Sequence, residues 1–293
     1  MEIQKTVVGI PPAEDLVEVK KPTSLLIAQF FLFPLIIIAI CIGIFLLFGY
    51  LTYEQRSPAE YLSLIRTGSG TQRWQAAYEL SNMISHDKQK VAGTDFVRDV
   101  IAVYRNSHDD DPRVRQFLAV TMGQIGDKRA IPALLDGLND PQVENEISNL
   151  LALGLIGDNA AVPGVLKQLQ NQEPAVRKMA AYVLGALKDP SALHDLQVAL
   201  NDSSEDVRWH AAMSLAELND ASGAGILVSL LDRSQIEKKD GMTPEQKSEL
   251  MVNAVKCLGI LRFEGARDKI QALSQTDPDL SVRDASIEAL KKF

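Results

Sequence analysis

Reactive side chains are scarce in this sequence. It carries two cysteines, Cys41 and Cys257, and four histidines, His86, His108, His194 and His210. Two distant cysteines make no disulfide framework, and with these histidines they give no zinc-ligand spacing. Each cysteine reads as a small buried apolar residue, Cys41 inside an apolar run and Cys257 inside a helical segment. No nucleophile elbow, phosphate-binding loop, dinucleotide fingerprint or zinc-hydrolase motif occurs. The run His108 to Asp111 is acidic, but it lacks the spaced oxygen ligands and turn glycine that calcium requires. The sequence therefore predicts no catalytic residue, no cofactor and no metal.

Positive charge is also in short supply. Lys and Arg number 30 against 38 Asp and Glu, a net charge of −8. Residues 1–24 hold three lysines and four acids, or −1, which leaves −7 for the remainder. Such a field repels phosphate backbones and argues against a nucleic-acid partner. Strand signals are missing as well, because apolar and polar residues do not alternate.

Charge is wholly absent from Leu25 to Leu51, a run of 27 residues. About 20 apolar residues span a hydrocarbon core of roughly 30 Å. The run is too long for a signal-peptide core of about 7–15 residues. The expectation is a single-pass anchor in a cell membrane, with the lipid bilayer as a partner. Lys5, Lys20 and Lys21 precede it, and Arg56 and Arg66 follow it. That balance places the N-terminus in the cytoplasm and the rest of the chain outside. Pro11, Pro12 and Pro22 break any helix in residues 1–24, which read as a tail. After the run, Ser57-Pro58-Ala59-Glu60 is a capping box that opens a short linker helix over 57–68.

What is abundant is repetition. Asp127, Asp158, Asp189 and Asp220 lie 31 residues apart, and Gly123, Gly154 and Gly185 hold the same interval, with Ala216 in the fourth place. A fixed period of 20–50 residues marks a stacked solenoid. Each unit reads as two helices. The first opens on an acid and a proline, as in Asp111-Pro112, Asp140-Pro141 and Glu173-Pro174, where the acid caps free N–H groups and proline loses no hydrogen bond. Apolar residues then recur at helical spacing: Val176, Ala180, Val183, Leu184 and Leu187. The periodic Asp follows in a turn and caps the second helix. Taking Val207 as the reference position, units fall at Gln72, Val114, Asn145, Val176, Val207, Leu250 and Val282.

These residues resemble the HEAT-repeat family, in the short units first noticed in phycobilin lyases. The likeness rests on Asp111-Pro-Arg-Val-Arg115 and Glu173-Pro-Ala-Val-Arg177, the Leu-Gly-x-Leu/Ile-Gly-Asp turns, and the Ala-Val/Ile-Pro starts of the second helices. It implies an all-α fold, a right-handed α-α superhelix following one transmembrane helix, with about seven units over 70–293. Such units serve many unrelated roles, so the likeness speaks to fold more than function. Stacked helix pairs offer a curved surface rather than chemistry. The expected function is therefore a membrane-anchored, non-enzymatic scaffold that binds a protein partner. Two alternatives stand beside it: a bilin-lyase-like enzyme or subunit, and a membrane-complex subunit held mainly through its transmembrane helix.

Candidate contact residues follow from the slots. Arg73, Arg115, Arg177, Arg208 and Arg283 share one position, and pairing with the periodic turn aspartates explains them better than an anion stripe. Glu146 occupies that slot in the third unit. Trp74 and Trp209 share a slot that elsewhere holds Gln116 or Lys178, which predicts partial exposure. On the second helices Lys167, Gln168 and Asp195 fall off the apolar stripe, and family analogy places that face on the concave side. Insertions at 85–94 and 233–242 interrupt the period, and the second contributes Lys238 and Lys239. The partner-binding set is thus Trp74, Trp209, Lys167, Gln168, Asp195, Lys238 and Lys239.

Overall fold

The structure is a computed structural model that describes residues 31–52, 56–91 and 95–293, with the side chains of 49–52 and 90 left aside. The described residues are helical or in turns, without a strand. They divide into two units, before and after Arg56. The expected tail over 1–24 lies outside the described residues.

The first unit contains helix α1, Phe33–Thr52. Phe31, Phe33, Leu35, Phe45 and Phe48 are exposed along it. Among the described residues, no helix is long and apolar enough to cross a membrane. This corrects the expected single-pass anchor over Leu25–Leu51. It also removes the support for a cell-membrane location, the bilayer partner and the inside-out orientation. Positions 25–30 of the expected span fall outside the described residues. Cys41 is exposed on this helix, not buried as its apolar neighbours suggested.

The second unit opens with α2, Pro58–Thr67. Its capping box forms as read: Ser57 Oγ accepts from Glu60 N, and Glu60 returns the bond to Ser57 N at 2.7 Å. Leu62 and Ile65 are buried against α3, Gly70–His86, and α4, Phe96–Arg105. Helix pairs then follow one another: α5 Pro112–Ile125 with α6 Ile131–Asp136; α7 Val143–Ile156 with α8 Val162–Gln168; α9 Pro174–Leu187 with α10 Leu193–Ala199; and α11 Glu205–Glu217 with α12 Ala224–Ser229. A short helix α13, Arg233–Glu237, fills the second insertion. The stack ends with α14 Pro244–Ile260, α15 Arg267–Thr276 and α16 Leu280–Leu290.

The period has two local causes. Helices α5, α7 and α9 each end in the left-handed region, at Gly126 (φ 76°), Gly157 (φ 70°) and Lys188 (φ 53°), and Asn219 (φ 58°) continues the interval. The next residue is the periodic Asp. Its side chain accepts the N–H two residues on: Asp127 from Arg129, Asp158 from Ala160 and Asp189 from Ser191, all at 2.9 Å, and Asp220 from Ser222 at 2.8 Å. This satisfies one orphan donor of the short second helix. Proline at the start of α6 and α8 removes another.

Packing between units is close because small residues meet. Ala180, Ala181, Ala211 and Ala212 are fully buried. A Cβ on Gly123 would lie 2.7 Å from Ala152 Cα, and one on Gly185 would lie 2.8 Å from Ser214 Cα. Both clashes are with backbone, so those helices must separate to admit any side chain. Ser214 instead donates to the Ala181 carbonyl at 2.8 Å. The apolar interior changes hands at α11, with one cluster from Leu62 to Leu215 and another from Trp209 to Ala289.

Candidate functional site

The arginine slot is a ladder, but its acceptors differ from those expected. Arg115 Nε donates to Asp140 at 2.7 Å, Arg177 reaches Asp202 through Nε and Nη2 at 2.8 and 2.9 Å, and Arg73 pairs with Asp110. These aspartates stand in the loops between units. The periodic Asp127, Asp158, Asp189 and Asp220 are occupied as caps instead. Arg177 Nη1 also donates backward to the carbonyls of Asn171 (2.8 Å) and Gln172 (2.9 Å). Arg208 does the same to Asp202 and Ser203, at 2.7 and 3.2 Å. Each such guanidinium therefore ties the loop before its helix to the helix itself, and Arg177 ties the loop after it as well.

The third unit breaks the ladder. Glu146 is buried in the arginine slot, and Asn171 stands where the next aspartate would be. Asn171 Nδ2 reaches Glu146 Oε1 at 3.3 Å and Gln168 Oε1 at 2.9 Å, so it is shared and the carboxylate holds the weaker half. Burial pushes the Glu146 carboxyl above the ordinary range; the Asn171 bond opposes that, and the charges of Asp140 and Glu173 add to it. Neighbouring polar groups are better satisfied. Tyr104 donates to Asn149 Oδ1 at 2.8 Å, lies under the Arg115 guanidinium at 4.5 Å, and Asn149 Nδ2 donates to the Asn145 carbonyl at 2.8 Å. Asn145 Nδ2 donates to Asp140, while its own Oδ1 is buried without a partner.

A groove of about 600 Å³ opens beside this break, between α6 and α8. Leu135, Leu138 and Gly164 line it with apolar surface, and Lys167, Gln168 and Asn171 with polar groups. Lys167 is exposed, as read; Gln168 is buried by its bond to Asn171. Asp195, on α10, is half-buried.

The other sequence candidates lie elsewhere. Trp74 is half-buried beneath the Arg113 guanidinium, 4.0 Å from the ring centroid. Trp209 corrects the expectation of exposure: it is 8% exposed, with Lys239 Nζ 5.4 Å from its ring. Lys239 also pairs with Glu205, while Lys238 is exposed. The 233–242 insertion is tied into the stack, because Arg233 meets Asp277 with two bonds of 2.7 Å. Thus the structure brings Lys167 and Gln168 together, and separately Trp209 and Lys239; it does not gather the seven into one site. Sequence reasoning missed Asn171, whose only signal was its place 31 residues after Asp140. It also missed the exposed apolar side chains Tyr78, Leu155 and Tyr182 on the long helices.

A second hollow, of about 750 Å³, is lined by Lys88, Asp95, Asp127, Lys128 and Arg129. Arg129 bonds both Asp127 and Asp95 there, and Lys128 lies 3.2 Å from Asp158. Of the acidic run at 108–111, Asp110 pairs with Arg73, and Asp111 caps α5 while bonding Arg113. Among the described residues, no group of three His, Cys, Asp or Glu could hold a metal ion. Burial moves the Cys257 thiol up to about 12, which leaves it inert, and its Sγ lies 3.9 Å from the Met213 carbonyl.

Stacked two-helix units with a shared ladder define an α-helical repeat solenoid. Residues 97–171 and 162–238 match the family model of HEAT repeats. No curated protein matches the sequence. Among solved structures, the chain is similar to the complex of CpcE and CpcF of phycocyanin lyase from Nostoc sp. PCC7120, at 18% identity over 82% of this chain and 88% of that one, with a TM-score of 0.56. It is also similar to YibA of Escherichia coli (15% identity, 82% and 94% covered, TM-score 0.48) and to a designed armadillo repeat protein (18%, 81% and 99%, 0.42). At 18% identity, the likeness to the CpcE and CpcF complex speaks to the fold alone.

Proposed function

We propose that the repeat array over 70–293 is a protein-binding scaffold, working by contour and not by reactive groups, and that its partner lies along the second helices in the groove between α6 and α8. The observation that carries this reading is the make-up of that groove: an apolar floor of Leu135 and Leu138 under a polar rim of Lys167, Gln168 and Asn171. A stable interface has the same layout, an apolar centre and a polar edge. Asp195 on the neighbouring α10 extends the rim. Trp74, Trp209, Lys238 and Lys239 are further contacts in this reading, with the lysines acting where they are exposed. The test is a photo-crosslinking amino acid placed singly at Lys167 and at Tyr182 in the full chain. Crosslinked partner from position 167 supports the groove. Crosslinks from 182 alone move the interface to the exposed tyrosine face and end this assignment.

A second reading comes from the similarly folded phycocyanin lyase complex: the chain is a subunit of a bilin-handling enzyme. Mixing with free bilin tests it. A shift in the chromophore absorption that this protein induces supports the lyase reading, and an unchanged spectrum removes it.

A further inference from the structure

In the third unit the ladder lacks its guanidinium, and two of the three groups that would receive it, the loop carbonyls, keep their places in the sequence. In the fourth unit Arg177 meets three acceptors: the carbonyls six and five residues before it, and the aspartate 25 residues after it. Arg208 takes the same two carbonyl positions in the fifth unit. In the third unit those carbonyls belong to Asp140 and Pro141. Glu146 has nothing to donate to them, and among the described residues no side chain donates to either. In place of a cation, the slot holds a carboxylate that is nine-tenths buried and receives one shared hydrogen bond of 3.3 Å. A buried charge without a counter-charge is costly, and the structure supplies no cation for this one.

The surroundings decide which ligand fits. By repeat register, the Asp140 and Pro141 carbonyls and the Glu146 carboxylate belong to the position where the neighbouring repeats hold a planar, five-donor guanidinium. Access is past Asn171, which lines the α6/α8 groove and bonds Gln168 more closely than Glu146. Asn171 therefore stands between the groove it lines and the Glu146 carboxylate it bonds.

We propose that a partner's arginine side chain enters this groove and completes the ladder in trans, its guanidinium pairing with Glu146 and donating to the Asp140 and Pro141 carbonyls. This rests on the protein-binding reading above and names the chemistry of its anchor.

The probe is a glycine-arginine-glycine tripeptide capped at both ends, with the citrulline version as its neutral isostere. The full chain is titrated with each while the Glu146 carboxyl carbon and the Asn171 side-chain amide are followed by NMR. The arginine peptide is expected to move both signals saturably, and the citrulline peptide to bind at least tenfold more weakly. E146Q keeps the shape without the charge and is expected to lose binding by the same factor. The double variant E146R/N171D supplies the missing guanidinium in cis and is expected to abolish binding. Equal shifts with citrulline, undiminished binding by E146Q or E146R/N171D, or no movement at Glu146 overturns the proposal. If those results come with crosslinking from Lys167 intact, the groove still binds protein and only the arginine anchor is lost. If crosslinking moves to Tyr182, both readings fail.

Discussion

Asn171 hydrogen-bonds Glu146 at 3.3 Å across 25 residues, the same separation that joins Arg115 to Asp140 and Arg177 to Asp202. Where the neighbouring units pair a guanidinium with a carboxylate, this one pairs a carboxylate with an amide. The reversal is coupled: the acid moved into the slot of the base, and a neutral group took the slot of the acid. Restoring the pair with E146R/N171D is expected to stabilise the fold by about 1.5–3 kcal/mol, the net worth of hydrogen bonds to charged groups. N171D alone sets two carboxylates together and is expected to destabilise by about 1 kcal/mol or more. A double-mutant cycle in urea reads the coupling, and simple additivity would show that the 25-residue relation is not an energetic one.

The pH dependence has two opposed parts. Asp127, Asp158, Asp189, Asp202 and Asp220 are all held below the usual carboxylate range. The Arg129 guanidinium does this for Asp127, the Ala160 and Ser191 N–H groups for Asp158 and Asp189, Arg177 for Asp202 and Ser222 for Asp220. Asp279 falls to about 2 through Ser248 and Ser281. A lowered acid stabilises the fold above its unfolded value, about 3.9, and that stability is lost as pH falls through the folded one. Glu146 has the opposite sign. Its folded value is raised, so its contribution is present below the usual Glu value of about 4.3 and is lost as pH rises through the folded value. Denaturant midpoints between pH 2 and 8 should fall steeply on the acid side. E146Q should exceed the parent at pH 7, with the two converging near pH 4. A gap that widens on acidification would contradict the assigned sign.

Helix ends and helix contacts were legible where the physics is local. The four periodic aspartates act on an N–H two residues away, and the Ser57 box closes over three. Gly123 and Gly185 repeat because neighbouring backbones touch there, and only the register of the stack is needed to see it. The partners of the arginines were not legible, because Arg115 and Asp140 meet only once the helices have stacked. For the same reason the sequence placed Trp209 in a polar-tolerant slot without showing that Lys239, in the insertion 30 residues on, lies over it. Of the proposed groove, Lys167 and Gln168 were singled out by their place off the apolar stripe, yet only Lys167 is exposed and Gln168 is buried. Asn171 was passed over because its role depends on Glu146.

Close contact at Gly123 gives a sharp expectation. G123A brings a Cβ against Ala152 Cα and should cost about 1–3 kcal/mol, the range for overpacking a tight core. G225A enters open space and serves as the control. Thermal melts of the two should differ by several degrees; equal melting would show that the units do not approach this closely.

Lys188 holds a left-handed conformation (φ 53°) where Gly126 and Gly157 stand in the units before it. K188G should stabilise by about 1 kcal/mol, the cost of a left-handed L-residue, less the small worth of its exposed ion pair with Glu217 at 2.9 Å. Urea denaturation checks it, and a loss of stability would mean that the ion pair outweighs the backbone.

Arg233 and Asp277 join the insertion to the last helices, and the Asp277 side chain is 1% exposed. R233A leaves that carboxylate buried and unpaired, at a cost of about 3 kcal/mol. Amide exchange should accelerate first in α15 and α16. Uniform acceleration over the whole array would show that the end units do not depend on this pair.

Hydrogen exchange of the full chain with and without a crosslink-verified partner tests the binding surface most directly. The account predicts slowed exchange over residues 131–139 and 162–171, the two sides of the α6/α8 groove, with the outer faces of α7 and α9 unchanged. Protection confined to the helices that carry Leu155 and Tyr182, with 131–139 and 162–171 exchanging as before, would contradict it.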